Sequence, residues 1–281
     1  MDAMRRLFAL LLSACSLDES GLGAQDGSSP ADVVASSDAG ADSTIDAGAD
    51  ASADVFVEAS PDAMAACQAL CTDPNASCVN GVCVFDCTST GSCPGKITCP
   101  TGIPCEVDCG YLLCAGDIDC SKASSCKIDC SGGGGSECAG AISCGGSSCD
   151  LHCGYLSCGK DINCTAQTCN VKCDTSACKG NITAGGQNAT ITCSDQACSG
   201  NVTCNAATQC NVICNGNPSC SGTVSSMAQT STLCCNGAGS CGGKVSCAKQ
   251  TCEIGCTNTP SCLGGTQCTA STCVDAGATC P

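Results

Sequence analysis

The sequence has no tryptophan, two tyrosines, three phenylalanines and a single histidine. Aromatic side chains bury the most area per residue, so a 281-residue chain that is 2% aromatic cannot rest on an ordinary large hydrophobic core. Basic residues are scarce: 10 Lys and Arg stand against 26 Asp and Glu, a formal charge of −16. With no basic cluster and no interleaved aromatics for base stacking, the chain has none of the features that hold nucleic acid. Long apolar runs are missing, and the stretch from Leu7 to Leu12 is far too short to span a bilayer of about 30 Å. No C-x-x-C spacing occurs, which removes the thioredoxin-type redox motif.

What the chain has instead is 39 cysteines and 34 glycines. That cysteine content exceeds the 8–10% or so that marks a disulfide scaffold, so cross-links are expected to replace much of the missing core. The cysteines belong to two alternating units. The first, C-x-h-x-C with h aliphatic or Phe, appears as CVFDC from Cys83, CKIDC from Cys126, CDLHC from Cys149 and CNVKC from Cys169. The second, C-x-G-x-h-x-C, appears as CPGKITC from Cys93, CAGDIDC from Cys114 and CSGNVTC from Cys198. First units recur every 20 to 23 residues, giving nine repeats from Cys83 to Cys268 and a degenerate tenth.

Each unit alternates with period two. In CNVKC, Cys169, Val171 and Cys173 share one face while Asn170 and Lys172 share the other, the pattern of a half-buried strand. The h residues are mostly β-branched, which favours strands. The glycines of the second unit, Gly95, Gly116, Gly140, Gly180 and Gly200 among them, fall in phase with the inward residues, as if to admit a close opposite strand. Two strands and two short turns per repeat predict an all-β fold, a disulfide-braced β-solenoid of about nine coils over residues 83–281. Coils stacked at about 4.8 Å give a rod of roughly 45 Å. Beads of small disulfide knots are the alternative, but the strands repeat in phase without linkers.

The pairing has an internal clue. The cysteines expected at positions 184 and 189 are both Ala, and those expected at 226 and 231 are both Ser. Cysteines that vanish together across a turn are what a bonded pair predicts. The expected bonds therefore close turns, joining the last Cys of one unit to the first of the next: Cys87–Cys93, Cys144–Cys149, Cys164–Cys169, Cys173–Cys178 and Cys247–Cys252. Pairing between coils explains the joint losses less well. Six cysteines fall outside this rule. Cys67, Cys71, Cys78 and Cys83 form a small disulfide cap whose connectivity the sequence leaves open. Cys234 and Cys280 remain for each other.

Ahead of the cap the composition changes. Arg5 and Arg6 precede the short apolar run, and Leu12-Ser13-Ala14-Cys15 resembles the lipobox of bacterial lipoproteins. The resemblance implies a signal peptide over residues 1–14, a diacylglyceryl group on Cys15 and, with Ser16 following, an outer-membrane destination at the cell surface. Residues 16–65 hold eleven acidic residues and no basic one, with DAGAD twice. Such a segment buries too little to offset ordering entropy and is extended by its own charge, so residues 15–65 are expected to be a disordered tether. Asp/Ala tethers behind a lipobox resemble those of Cys-rich repeat lipoproteins of deltaproteobacterial, myxobacterial type.

Candidate chemistry is thin. His152 lies on the outward face of its strand with no second histidine. Asp86, Asp108 and Asp129 occupy one outward slot in successive strands, where stacking would allow weak Ca²⁺ binding, but the slot then becomes His152 and Lys172. Thr183, Thr190, Thr192 and Thr203 resemble part of an ice-binding array, which Asp119, Lys127, Asp129 and Lys172 interrupt. Tyr111 and Tyr155 recur in turns. A thiolate metal site needs reduced cysteines, whereas export favours disulfides. No Ser/His/Asp set or phosphate loop stands out, and a (β/α)₈ enzyme such as a tryptophan synthase alpha chain needs about 250 residues with long amphipathic helices. The expectation is a non-enzymatic, lipid-anchored surface scaffold for structure or adhesion, without cofactor, touching the membrane through its lipid and an unidentified surface partner. The alternative is a metal- or small-ligand-binding module, with ice binding behind it.

Overall fold

The computed structural model describes residues 59–281 except 90–92, 111–113, 134, 136, 258–261, 276–279 and 281. It is a β-solenoid. Among the described residues, eleven strands form a long sheet and nine form a short one, and the chain passes from one to the other twice per coil. Every pairing is parallel except that of β1 (Ala76–Val79) with β2 (Val82–Cys87), an antiparallel hairpin that covers the start of the long sheet. The short sheet begins at β3 (Ile97–Thr98).

Register keeps like residues in columns. Cys149 pairs with Cys126 and Cys169, and Leu151 with Ile128 and Val171. In the short sheet Ile118, Ile142, Ile162 and Ile182 form an unbroken column. These side chains are buried, so a typical coil contributes one aliphatic residue from each sheet, flanked at both edges by cysteine. The apolar stripe is thin, and the sulfur columns complete the core.

A second ladder lies outside the core. The Asp161 carboxylate accepts the N–H of Asn181 at 2.8 Å, the Asn181 amide oxygen accepts that of Asn201 at 3.1 Å, and the Asn201 amide oxygen accepts that of Thr223 at 2.9 Å. Each of these N–H groups lies just ahead of a short strand, so side chains one coil earlier complete the hydrogen bonding there.

The glycines of the second unit do not face inward. Cys138, Cys158, Cys178 and Cys198, which open that unit, have φ between 51° and 55°. The glycine two positions on meets the backbone of the preceding coil, and Gly222 and Gly243 do the same behind cysteines that are not left-handed. A Cβ on Gly200 would overlap the carbonyl oxygen of Gly180 and lie 2.6 Å from its carbonyl carbon. Gly95, in the first coil, meets nothing within 4 Å. Gly200→Ala is therefore expected to force coils apart and lose about 1–3 kcal/mol, while Gly95→Ala stays within about 0.5 kcal/mol of the parent. Guanidinium melts of the two variants check this, and equal effects would contradict it.

Residues 61–65, expected to be disordered, are helical. Helix α1 (Pro61–Leu70) begins there, with the Ser60 hydroxyl accepting the N–H of Ala63, Pro61 in the first turn and Asp62 beside the positive helix end. Its Cys67 is buried and bonded to Cys78, and Cys71 is bonded to Cys83, so the cap is a helix stapled to a hairpin.

Candidate functional site

The structure joins the five expected turn pairs: Cys87–Cys93, Cys144–Cys149, Cys164–Cys169, Cys173–Cys178 and Cys247–Cys252. Eleven more turns are closed in the same way. Cα separations run from 5.5 Å in Cys71–Cys83 to 6.3 Å in Cys204–Cys210, inside the usual window for disulfides. Cys234, on the outer face of its strand, is bonded to Cys280 near the chain end. Cys15 lies outside the described residues, as does Tyr111.

Two rungs are missing at the edge that joins a short strand to the next long one. Ala184 and Ala189 are both buried and fill one slot with two methyl groups. Ser226 and Ser231 fill the other, their hydroxyls hydrogen-bonded at 2.7 Å, and Ser226 also accepts the N–H of Ala228. Both serines are buried. Ser226→Ala would strip Ser231 of this partner, with an expected loss of about 1–3 kcal/mol. Changing both serines to alanine reproduces the 184/189 slot, and the double variant is expected to lose less than the single one. Denaturation midpoints of the two decide it.

The long sheet's outer face carries a shallow groove of about 610 Å³ lined by Lys127, Asp129, Asp150, His152, Asn170, Lys172 and their neighbours. His152 sits between carboxylates, with Nε2 2.7 Å from Asp174 and Nδ1 3.7 Å from Asp129. Lys172 Nζ lies 3.3 Å from Asp174 and 3.2 Å from His152 Nε2. Burial acts to raise the Asp174 pKa, but hydrogen bonds from His152 and Lys172 outweigh it and hold that carboxyl below the ordinary value. Lys127 is paired with Glu106 at 2.5 Å, and this contact raises the ammonium pKa. Both lysines of the groove are thus engaged with carboxylates, Lys127 with one of the preceding coil and Lys172 with one of its own.

The acidic column is in register, Asp86 beside Asp108 and Asp108 beside Asp129. Its two end carboxylates are held by neighbours in their own coils. Asp86 accepts from the hydroxyl and N–H of Thr88, which lowers its pKa, and Asp129 accepts the N–H of Ser131. Asp108, between them, is raised by burial and then by the charges of Asp129, Asp86 and Glu106. Thr183 and Thr203 stand side by side on the short sheet, while Thr190 and Thr192 belong to the long one, so the four threonines do not share a face. Tyr155 is exposed in its turn.

Among the described residues, the groups with metal-ligand spacing are five cysteine triples, such as Cys153, Cys173 and Cys178. Each is a disulfide with one sulfur of a neighbouring disulfide, and a sulfur so bonded is not the thiolate that a metal takes. Sequence reasoning missed the His152–Asp174–Lys172 cluster, whose partners come from adjacent coils. It also missed the Asp/Asn ladder, although an Asp or Asn fills the fourth slot of the second unit at positions 117, 161, 181 and 201. No protein-family model matches the chain, and no curated protein or solved structure matches it.

Proposed function

We propose that the chain is a lipid-anchored bacterial surface scaffold, a disulfide-braced solenoid held off the outer membrane by its acidic tether and presenting its faces for structure or adhesion rather than catalysis. One observation carries this reading: every cysteine from Cys67 to Cys280 is in a disulfide, nineteen bonds in all. Such density belongs to an oxidising compartment outside the cytoplasm. The lipobox-like segment ending at Cys15 supports the anchor, because acyl chains hold a protein to the bilayer by about 0.8 kcal/mol per buried CH₂. The outer faces support the scaffold role. Their short polar side chains and engaged charges suit a solvated display surface, and the groove around His152 has its cations committed internally. Among the described residues no helix is long and apolar enough to cross a membrane.

The test is intact mass with thiol alkylation, before and after reduction, on protein from the membrane fraction. The scaffold reading expects no free thiol before reduction, about 38 alkylated thiols after it, from nineteen disulfides, and a lipid mass on the N-terminal fragment. The Cys15→Ala variant is expected to lose the lipid mass and leave the membrane fraction. Many free thiols, or metal released by acid, would overturn the scaffold; a membrane-bound Cys15→Ala variant would overturn the anchor.

A further inference from the structure

A missing rung on one side and solvent on the other isolate one pair of disulfides. At the edge where a short strand leads into the next long one, successive slots hold Ser226 with Ser231, then Cys247–Cys252, then Cys268–Cys273. Register places Ser226 beside Cys247 and Ser231 beside Cys252. It also places Cys247 beside Cys268 and Cys252 beside Cys273. Cys247 and Cys252 are buried, Cys268 is half-buried and Cys273 is exposed. A soluble thiol can therefore reach the last rung, and the buried rung lies directly behind it.

Among the described residues, five groups bring three sulfurs of adjacent rungs within 4.8 Å of one another. In four of them every cysteine is buried. The fifth is Cys247, Cys252 and Cys268, and it alone includes a cysteine open to solvent. Once released from Cys273, the Cys268 thiolate stands against both sulfurs of an intact disulfide, the arrangement that thiol–disulfide exchange requires. Neighbouring strands lie about 4.8 Å apart, inside the usual Cα window of a disulfide, so cysteines in register on adjacent coils are also within bonding reach. Exchange cannot pass further inward along this edge, because Ser226 and Ser231 offer hydroxyls where the next disulfide would stand.

We infer that Cys247, Cys252, Cys268 and Cys273 form a thiol-exchange site, at which a small-molecule thiol converts two turn-closing bonds into two bonds between coils. The incoming thiolate attacks Cys273, forming a mixed disulfide there and releasing Cys268 as a thiolate. Cys268 attacks Cys247, which forms Cys247–Cys268 and releases Cys252. Cys252 attacks the mixed disulfide at Cys273, forming Cys252–Cys273 and expelling the small thiolate. Three S–S bonds break and three form, no electron is transferred overall, and the thiol is returned as a catalyst. The product ties the last coil to the one before it, and the serine pair confines the change to these two coils. The inference rests on the disulfides and their register and is independent of the lipid anchor and the display role.

The test treats the oxidised full chain with reduced glutathione under native conditions, quenches at intervals with N-ethylmaleimide and maps the bonds by peptide mass. Cleavage after Lys244, Lys249 and Glu253 puts Cys247 and Cys252 on separate short peptides, apart from the C-terminal peptide that carries Cys268 and Cys273. In the starting protein the two short peptides are joined to each other. Both are expected to become joined to the C-terminal peptide instead, after a glutathione adduct has appeared at Cys273. Cys247–Cys252 is expected to open about tenfold or more faster than Cys204–Cys210, which is equally buried, because attack from within the protein replaces collision with a thiol in bulk solution. In a Cys273→Ser variant Cys268 has no native partner, and the free thiol is expected on Cys252 without added glutathione. A variant carrying Ser226→Cys and Ser231→Cys restores the missing rung in register with both neighbours, and exchange is expected to spread to Cys204–Cys210. Equal opening of Cys247–Cys252 and Cys204–Cys210 in the parent would overturn the inference. So would an adduct at Cys273 that leads to no bond between coils, a Cys273→Ser variant whose thiol stays on Cys268, or a restored rung that leaves Cys204–Cys210 inert.

Discussion

Reduction of the disulfides is expected to abolish the fold, with loss of the far-UV β signal and rapid proteolysis of a chain that resists protease when oxidised. The apolar stripe is one aliphatic side chain deep in each sheet, as with Ile162 and Val171, and the sulfur columns beside it are buried. Each turn-closing bond restrains the unfolded chain by about 2 kcal/mol on the chain-entropy estimate. A domain is held by about 5–15 kcal/mol in total, so losing even a handful of these bonds exceeds the margin. Reduced thiols would also separate beyond bonding distance and loosen the packing of both edges. The measurement is circular dichroism and limited proteolysis before and after complete reduction and alkylation. A reduced, alkylated chain that keeps its β signal would show that the aliphatic columns and backbone ladders suffice alone.

Much of this was legible in the sequence because the repeat states its geometry twice per coil. Alternation within C-x-h-x-C assigns Cys169, Val171 and Cys173 to one face, and all three are buried. The joint absence at Ala184/Ala189 and at Ser226/Ser231 identified the turn as the unit of pairing, and the hydroxyl pair now occupies a disulfide's place. Three features stayed hidden for physical reasons. Gly116 and Gly200 meet the backbone of the preceding coil, a contact that exists only once the coils are stacked and leaves no compositional mark. Helix α1 starts in Asp/Ala-rich sequence that reads as tether, and only the Ser60-Pro61-Asp62 cap and its bonded Cys67 and Cys71 mark it. The groove needs register between coils, because His152 and Asp174 are 22 residues apart and meet only once strands are stacked.

Removal of the Cys234–Cys280 bond, by alanine at both positions, is expected to be the most damaging loss of any one disulfide, and its effect is expected to stay local. The bond closes a span of 46 residues, for which the chain-entropy estimate is about 4 kcal/mol, roughly twice that of a turn-closing bond. The last coil has little else to hold it. Ile254 is the last buried aliphatic residue of the long sheet's column, Thr266 stands in register beside Val245 where the short sheet would otherwise place an aliphatic one, and Thr272, Cys273 and Val274 are exposed. Cys234 itself lies on an outward slot yet is buried. In a solenoid each coil contacts only its neighbours, so losing the terminal tie should fray the end without reaching the middle. Hydrogen exchange is expected to rise across strands Val245–Cys247 and Thr251–Cys256 and to stay unchanged at Ile162–Cys164. Exchange that rises evenly along the rod would mean that the coils unfold as one cooperative block. Unchanged exchange at the C-terminal end would mean that Cys268–Cys273 and the parallel ladder hold the last coil by themselves.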